Sequence, residues 1–405
     1  VLVKKTDYKP NQVLIAAYSP GGFSQNFDPA EKAIYKMTDE VLAVSGYGKY
    51  SSSELKKLLV GKTLRTSVQI DNMFETLEAS TTPTDLETAF QVLYLKATAP
   101  RRDDIAFNNL IENTRSRIDN RNTNATTAMG DSIHTYVYNR HVLGSKMHTE
   151  DLPNVDYDKI LALHRDRFGD MSDFTYFVIG DFDEDSLRTY VQSYVATLPT
   201  AGRIEKPKDV DYRYAKGDID RDFKMAMETP QSIVYAFYSG DCEYNVENVV
   251  RASAFGQILS SKLYQDIRED RGWTYGVKTH CAVSAGMNGE DSALYIMPVY
   301  IRVAPENVEA TKEIVDNTIK AMSDETFITD EEVLKVKQYM LKNNESNVQD
   351  NAYWYTVLKS YVRFGEDMNT GFVDAVNSLS PKTIADFART HLNPKTRIHL
   401  TMNPE

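Results

Sequence analysis

The chain carries a faint internal repeat with a period of about 220 residues, and in 405 residues such a repeat leaves room for two copies of one unit and little else. Pro83-Thr84-Asp85-Leu86-Glu87, at a helix start, is answered by Pro305-Glu306-Asn307-Val308-Glu309 at an offset of 222. Asp104-Ile105, opening the next helix, is answered by Glu332-Val333 at 228. Toward the end of each copy the order is helix, turn, strand. Tyr157 to Ile179 passes through Phe168-Gly169-Asp170, and Pro381 to Leu400 through Leu392-Asn393-Pro394, at an offset near 224. Helices and strands are mixed within each copy. The expected fold class is therefore α+β: two tandem homologous domains, each a mostly antiparallel sheet with helices packed on one face.

Local signals fill in the elements. Val13 to Tyr18 reads as a strand ending in the turn Ser19-Pro20-Gly21-Gly22, and a helix follows over about Ala30 to Val44. Ser51 and Glu54 form an S-x-x-E capping box before Leu55, Leu58 and Leu59, with Gly61 as the stop. Helices are expected from Pro83, over Asp103 to Asn120 and over Asp185 to Leu198, and Phe174 to Ile179 reads as a strand. Ser232 to Tyr238 is a further strand. A long helix spans about Val246 to Arg271, with Phe255, Leu259, Leu263 and Ile267 at steps of four. Trp273 to Val283 and Ala293 to Val303 are expected as two strands around Gly286, Asn288 and Gly289. Pro199 to Tyr214, with two prolines, a glycine and many charges, is the best linker. The expected division is a first domain over 1–200, a linker over 201–214 and a second domain over 215–405.

Several function classes drop out on composition and motif. With 46 basic against 58 acidic residues the net charge is −12, which repels phosphate backbones, so no nucleic-acid partner is expected. No apolar run approaches the roughly 18 residues of a membrane span, so no transmembrane segment is expected. The chain opens on Val1 without a signal-like core, which reads as a processed or excised piece of a longer product. Cys242 and Cys281 lack C-x-x-C spacing; they are read as two buried thiols, with a single bridge as the alternative. None of the seven histidines sits in H-E-x-x-H or H-x-x-E-H. His134, His141 and His148 fall seven apart, a spacing of roughly 10 Å on a helix, so they cannot share a metal that way. There is no G-x-S-x-G elbow, and Gly46-Tyr47-Gly48-Lys49-Tyr50-Ser51 lacks the residues of a phosphate loop.

One stretch carries chemistry: Ile267-Arg268-Glu269-Asp270-Arg271-Gly272-Trp273-Thr274-Tyr275-Gly276-Val277. A long amphipathic helix ends here, Gly272 is placed to turn left-handed beyond it, and a strand leaves at once. Arg268 then lies in the last helical turn and Tyr275 near the strand's start, so the two side chains can converge. Arginine supplies a fixed fork of donors and tyrosine a hydroxyl that can donate to a carbonyl or developing oxyanion. The alternative is structural, with Arg268 offsetting the helix dipole and Tyr275 packed as a core aromatic.

This string resembles the R-E-x-x-G-x-x-Y stretch of the pitrilysin and insulysin family of zinc metallopeptidases, the inverzincins. The resemblance covers essentially the whole chain. Val3-Lys4-Lys5-Thr6-Asp7-Tyr8 with Ser19-Pro20-Gly21-Gly22, and Phe177-Val178-Ile179-Gly180-Asp181 with Tyr194-Val195-Ala196-Thr197-Leu198-Pro199, are similar to the opening and closing of a domain in the C-terminal half of bacterial members. The resemblance implies that Arg268 and Tyr275 bind substrate backbone and assist the tetrahedral intermediate. It also exposes a departure. Active members carry H-x-x-E-H on the first helix of their first domain, and the corresponding helix here has no histidine. The expectation is thus a metal-free C-terminal half, inactive alone, with no catalytic or metal residue of its own and no cofactor bound. Zinc is expected in a partner N-terminal half, and peptides are the substrates. Alternatives are a separately encoded non-catalytic subunit of a zinc peptidase and a peptide-binding or structural module. An acidic chamber wall would favour basic peptides, and the resemblance points to a periplasmic or cell-envelope address in a bacterium.

Overall fold

The computed structural model of the chain describes residues 1–121, 124–227, 230–286, 293–392 and 396–405. The first half runs β1 (Leu2–Lys5), β2 (Val13–Pro20), α1 (Lys32–Ser45), α2 (Ser52–Leu58), β3 (Leu64–Ile70), β4 (Phe74–Thr81), α3 (Leu86–Thr98), α4 (Asp104–Arg121), α5 (Ala125–Val137), α6 (Tyr157–Phe168), β5 (Thr175–Gly180) and α7 (Glu184–Tyr190). The second runs β6 (Gly217–Met225), β7 (Ser232–Asp241), α8 (Val246–Leu263), β8 (Val277–Thr279), β9 (Ala282–Ser284), β10 (Leu294–Val303), α9 (Val308–Ala321), α10 (Asp330–Asn347), α11 (Asn351–Phe364), α12 (Phe372–Asn377), α13 (Pro381–His391) and β11 (Thr396–Pro404).

The sheet orders, β1-β5-β2-β4-β3 and β6-β11-β7-β10-β8 with β9 also on β10, are the same path traced twice. In both, only the outermost pair is parallel, β1 with β5 and β6 with β11, and the other pairings are antiparallel. The α+β class and the repeat of one topology are as the sequence led us to expect. The capping box also forms, with the Glu54 carboxylate accepting from the Ser51 N–H at 2.8 Å.

Each sheet has its own half's helices on one face. On the other face it receives a helix from the opposite half. Val234, Ala236 and Tyr238 of β7 pack under α8, α9 and α13, whereas Ile233, Tyr235 and Phe237 pack against Met129 and Val137 of α5. On β2, Val13, Ile15 and Ala17 face the first half's helices, and Ala16 and Tyr18 meet Trp354, Tyr355, Leu358 and Val362 of α11. Residues alternate between faces along a strand, so a run that is apolar at every position must be covered on both sides.

Polar bonds fix the exchange. Asn351, fully buried at the start of α11, donates to Gln12 at 3.0 Å and accepts from Thr6 at 2.5 Å. Tyr18 donates to Glu78 at 2.7 Å, and Tyr355 binds both of them. The segment expected as a linker has no helix or strand, yet it is tied down along its length. The Asp170 carboxylate accepts from Ala201 and Arg203, Glu205 pairs with Arg167 at 2.7 Å, and the Val210 carbonyl meets His141 Nε2 at 3.0 Å.

Two expectations need correction. The long helix is regular only to Leu263, and Tyr264–Asp270 continues it as a widened, π-type turn. The stretch Trp273 to Val283 is two three-residue strands broken at His280-Cys281, not one strand. The break lies where α8 touches the strand: a Cβ on Gly256 would sit 2.3 Å from the Cys281 backbone nitrogen. Of the expected turn residues, Asn288 and Gly289 lie outside the described residues, as do Asn393 and Pro394.

Candidate functional site

The junction between α8 and β8 is built from a helix that has to stop and a chain that has to leave at once. Leu263 and Ile267 are fully buried and hold the helix end on the sheet. After them the Arg271 N–H reaches back to the Asp266 carbonyl at 3.2 Å, and the Trp273 N–H to the Ile267 carbonyl at 2.9 Å. That closure needs a left-handed residue between them, and Gly272 supplies it at φ 67°. A Cβ there would meet nothing within 4 Å, so backbone conformation, and not space, selects glycine. Thr274 is buried and closes the next turn, its hydroxyl donating to the Gly276 carbonyl at 3.1 Å and accepting the Gly276 N–H at 3.2 Å.

Tyr275 is thereby held outward and is 89% exposed. Arg268 is half-buried on the widened turn. Neither side chain has a hydrogen bond, ion pair or ring contact among the described residues, and none joins them to each other. The reading of Tyr275 as a core aromatic is ruled out by its exposure, and no bond ties Arg268 to the last helical carbonyls. Arg271, in contrast, is engaged, pairing with Asp266 and lying over the Trp273 ring at 5.0 Å.

Beside this junction the outer edge of β8 is unpaired among the described residues, because β8 ends the sheet. A cleft of about 420 Å³ runs between α8, this edge and α10, lined among others by Ser253, Gln257, Ser260, His280, Lys335 and Tyr339. The sequence reading missed Thr274, whose T-x-G spacing is a turn signal, and Gly256, a glycine inside a helix pattern that marks a close approach.

The described residues do not suit zinc. No group of three or more histidine, cysteine, aspartate or glutamate side chains is placed to hold a metal among them. His134 Nδ1 meets the Gly144 carbonyl at 3.0 Å, His141 the Val210 carbonyl at 3.0 Å and His164 the Lys96 carbonyl at 2.8 Å. Of the rest, His399 lies against Tyr238. The side chains along α1 include Lys32, Lys36, Asp39 and Glu40 but no histidine. Cys242 and Cys281 are buried free thiols, and burial pushes the Cys242 thiol up to about 12. No helix among the described residues is long and apolar enough to cross a membrane.

Comparison with known proteins agrees with this geometry. Residues 154–340 match the family described as the peptidase M16 inactive domain. The probable zinc protease PqqL of Haemophilus influenzae is 20% identical over 276 residues, 68% of this chain and 29% of that protein. The periplasmic protease PqqL of Escherichia coli shares the fold with a TM-score of 0.82 at 16% identity, over 99% of this chain and 44% of its own. A protease from Helicobacter pylori does so with a TM-score of 0.80 at 13% identity, over 99% of this chain and 96% of its own. The chain therefore spans less than half the length of either PqqL protein. Residues 154–340 are thus similar to the peptidase M16 inactive domain, and the chain as a whole shares its fold with the E. coli PqqL and Helicobacter pylori proteases.

Proposed function

We propose that this chain is the metal-free half of a pitrilysin-like zinc endopeptidase and forms one wall of its peptide chamber. Zinc and the attacking water belong to an N-terminal half or subunit. Arg268 and Tyr275 reach across to the bound peptide and donate hydrogen bonds where carbonyl charge accumulates. The observation that carries the reading is Tyr275: an aromatic side chain 89% exposed, on a turn locked by Thr274, with no partner of its own among the described residues. Exposure of that kind contributes nothing to folding, and a rigid turn keeps the hydroxyl aimed without a cost at the moment of reaction. The proposed division is 1–200 and 215–405 as domains, with 201–214 as an anchored connection between them. A periplasmic address belongs to the same proposal, supported by the E. coli relative, described as a periplasmic protease.

A second reading is favoured by the Helicobacter pylori structure, a chain of which this fold covers 96%: a separately encoded, non-catalytic subunit that pairs with a zinc-bearing one. Both readings are tested by the same reconstitution. The chain alone is expected to bind no stoichiometric zinc and to cleave no peptide, and mixing with the zinc-bearing partner should raise hydrolysis. Replacing Arg268 by Ala and Tyr275 by Phe should then lower kcat/KM by about 10²- to 10³-fold, mostly in kcat. Unchanged kinetics, or chelator-sensitive hydrolysis by this chain alone, would overturn the proposal.

A further inference from the structure

The chain is acidic overall, yet one of its clefts is not. Lys36, half-buried on α1, lines two adjoining clefts of about 530 and 350 Å³, which also share Leu143 and Tyr212. The larger is aromatic and apolar, walled by Phe23, Tyr35, Met73 and Phe364 and closed from the second half by 284–286. The smaller carries Arg117, Arg121 and Lys146 as well as Lys36.

The carboxylates that line these walls are already committed, and Asp39, on the same helix, accepts from the Ile70 N–H at 3.2 Å. Glu40 pairs with Arg117 at 3.0 Å, and Asp71 with Arg363 at 3.5 Å. Asp131 is shared by Arg121 and Lys146, both at 2.9 Å. Lys36 has no carboxylate partner among the described residues, and its ammonium donates only to the Leu143 carbonyl, at 2.6 Å. Lys36 is thus left without a carboxylate of its own among the described residues, in a setting where Lys32, paired with Asp151 at 2.6 Å, adds to the repulsion. Burial together with that repulsion pushes the Lys36 amine down to about 8. His134 and His141 are held below the usual histidine range, chiefly by burial. An anion seated at Lys36 would relieve this imbalance, and an apolar group attached to it would fill the neighbouring aromatic cleft.

We propose that the paired clefts around Lys36 bind a peptide carboxylate next to a bulky apolar side chain, the carboxylate at Lys36 and the side chain among Phe23, Tyr35 and Phe364. The carboxylate can be a chain terminus or an acidic side chain. The site reverses, locally, the preference for basic peptides that the net charge suggests. It rests on the chamber-wall reading for taking the ligand to be a peptide.

The test is direct binding to the unaltered full chain, with no hydrolysis involved. Two pairs of fluorescent hexapeptides serve as probes: one ends in Phe as free acid or as amide, and the other carries an internal Phe-Glu or Phe-Gln with an amidated end. At least one acidic probe should bind ten-fold or more tighter than its neutral twin, and which one does so identifies the source of the carboxylate. Lys36→Met should abolish the difference and Lys36→Arg should keep it, with unchanged circular dichroism for both. If Lys36→Met does not fold, loss of the acid preference at high salt on the unaltered chain decides instead. Equal binding within both pairs, or no binding by any probe, would overturn the proposal. Because the readout is binding by this chain alone, its failure leaves the roles of Arg268 and Tyr275 untouched, and a kinetic failure of those residues leaves this result untouched.

Discussion

His164 is fully buried, its ring tilted against Phe168, with Nε2 2.8 Å from the Lys96 carbonyl and no partner at Nδ1 among the described residues. Burial disfavours the charged ring, and its pKa is pushed down to about 4 from an ordinary 6.5. The folded protein therefore holds fewer protons here than the unfolded chain between those values. Stability from this residue is complete above pH 6.5 and falls as the pH drops toward 4. By pH 5 the loss amounts to about 2 kcal/mol. A His164→Gln chain should show a shallower decline in unfolding free energy between pH 7 and 5 by about that amount, measured in denaturant. An identical slope would mean that the ring is protonated in the fold. Residues such as this one look like chemistry in a sequence and turn out to be packing. Arg268 and Tyr275 show the converse, since nothing among the described residues uses their polar groups.

The elements least legible in the sequence are α5 and α11, and they are the ones that bind the two halves together. Neither was expected as a helix, although the caps at Asn124 and Asp350, each accepting the N–H two residues on, were available as signals. What the sequence did contain was the need for them. Val13 to Ala17 and Ile233 to Tyr238 are strands without a polar alternate, which only a cover on both faces can satisfy. Met129 on α5 is fully buried against the second half's sheet. Met129→Ala should cost about 2 to 5 kcal/mol, and its mark in hydrogen exchange should fall on β7 and β11, more than 100 residues away in sequence. Faster exchange confined to 1–180 would contradict the exchange of helices. The π-type turn at Tyr264–Asp270 is a similar case. The four-residue spacing of Leu263 and Ile267 reads as plain helix, and the widened turn is visible only in the structure.

At the scale of the molecule, reciprocal helices make two similar units into one mechanical body. Separating the halves would uncover the outer faces of both sheets together with Asn351, Tyr18, Tyr355 and Glu78. Unfolding should therefore be a single transition by calorimetry, with calorimetric and van't Hoff enthalpies in agreement, even though two-unit chains commonly melt in steps. Two resolved transitions, one for each sheet, would refute this coupling. A wall that does not flex internally also suits the proposed role, because Arg268, Tyr275 and Lys36 then keep fixed positions relative to one another.

The sequence by itself determined the α+β class, the doubled topology, the positions of β2, β5, β7, β10 and β11 and of the helix leading to Arg268, and the absence of a zinc motif on α1. These are properties of local spacing, caps and glycines, which act within a few residues. Only the tertiary structure decided which helix covers which sheet, that the charged segment after Pro199 is bonded down along its length, that Tyr275 faces solvent, and that Lys36 has no carboxylate partner among the described residues of an acidic chain. Those outcomes depend on contacts between residues far apart in sequence, where burial and pairing are settled by the whole set of neighbours, which no local pattern records.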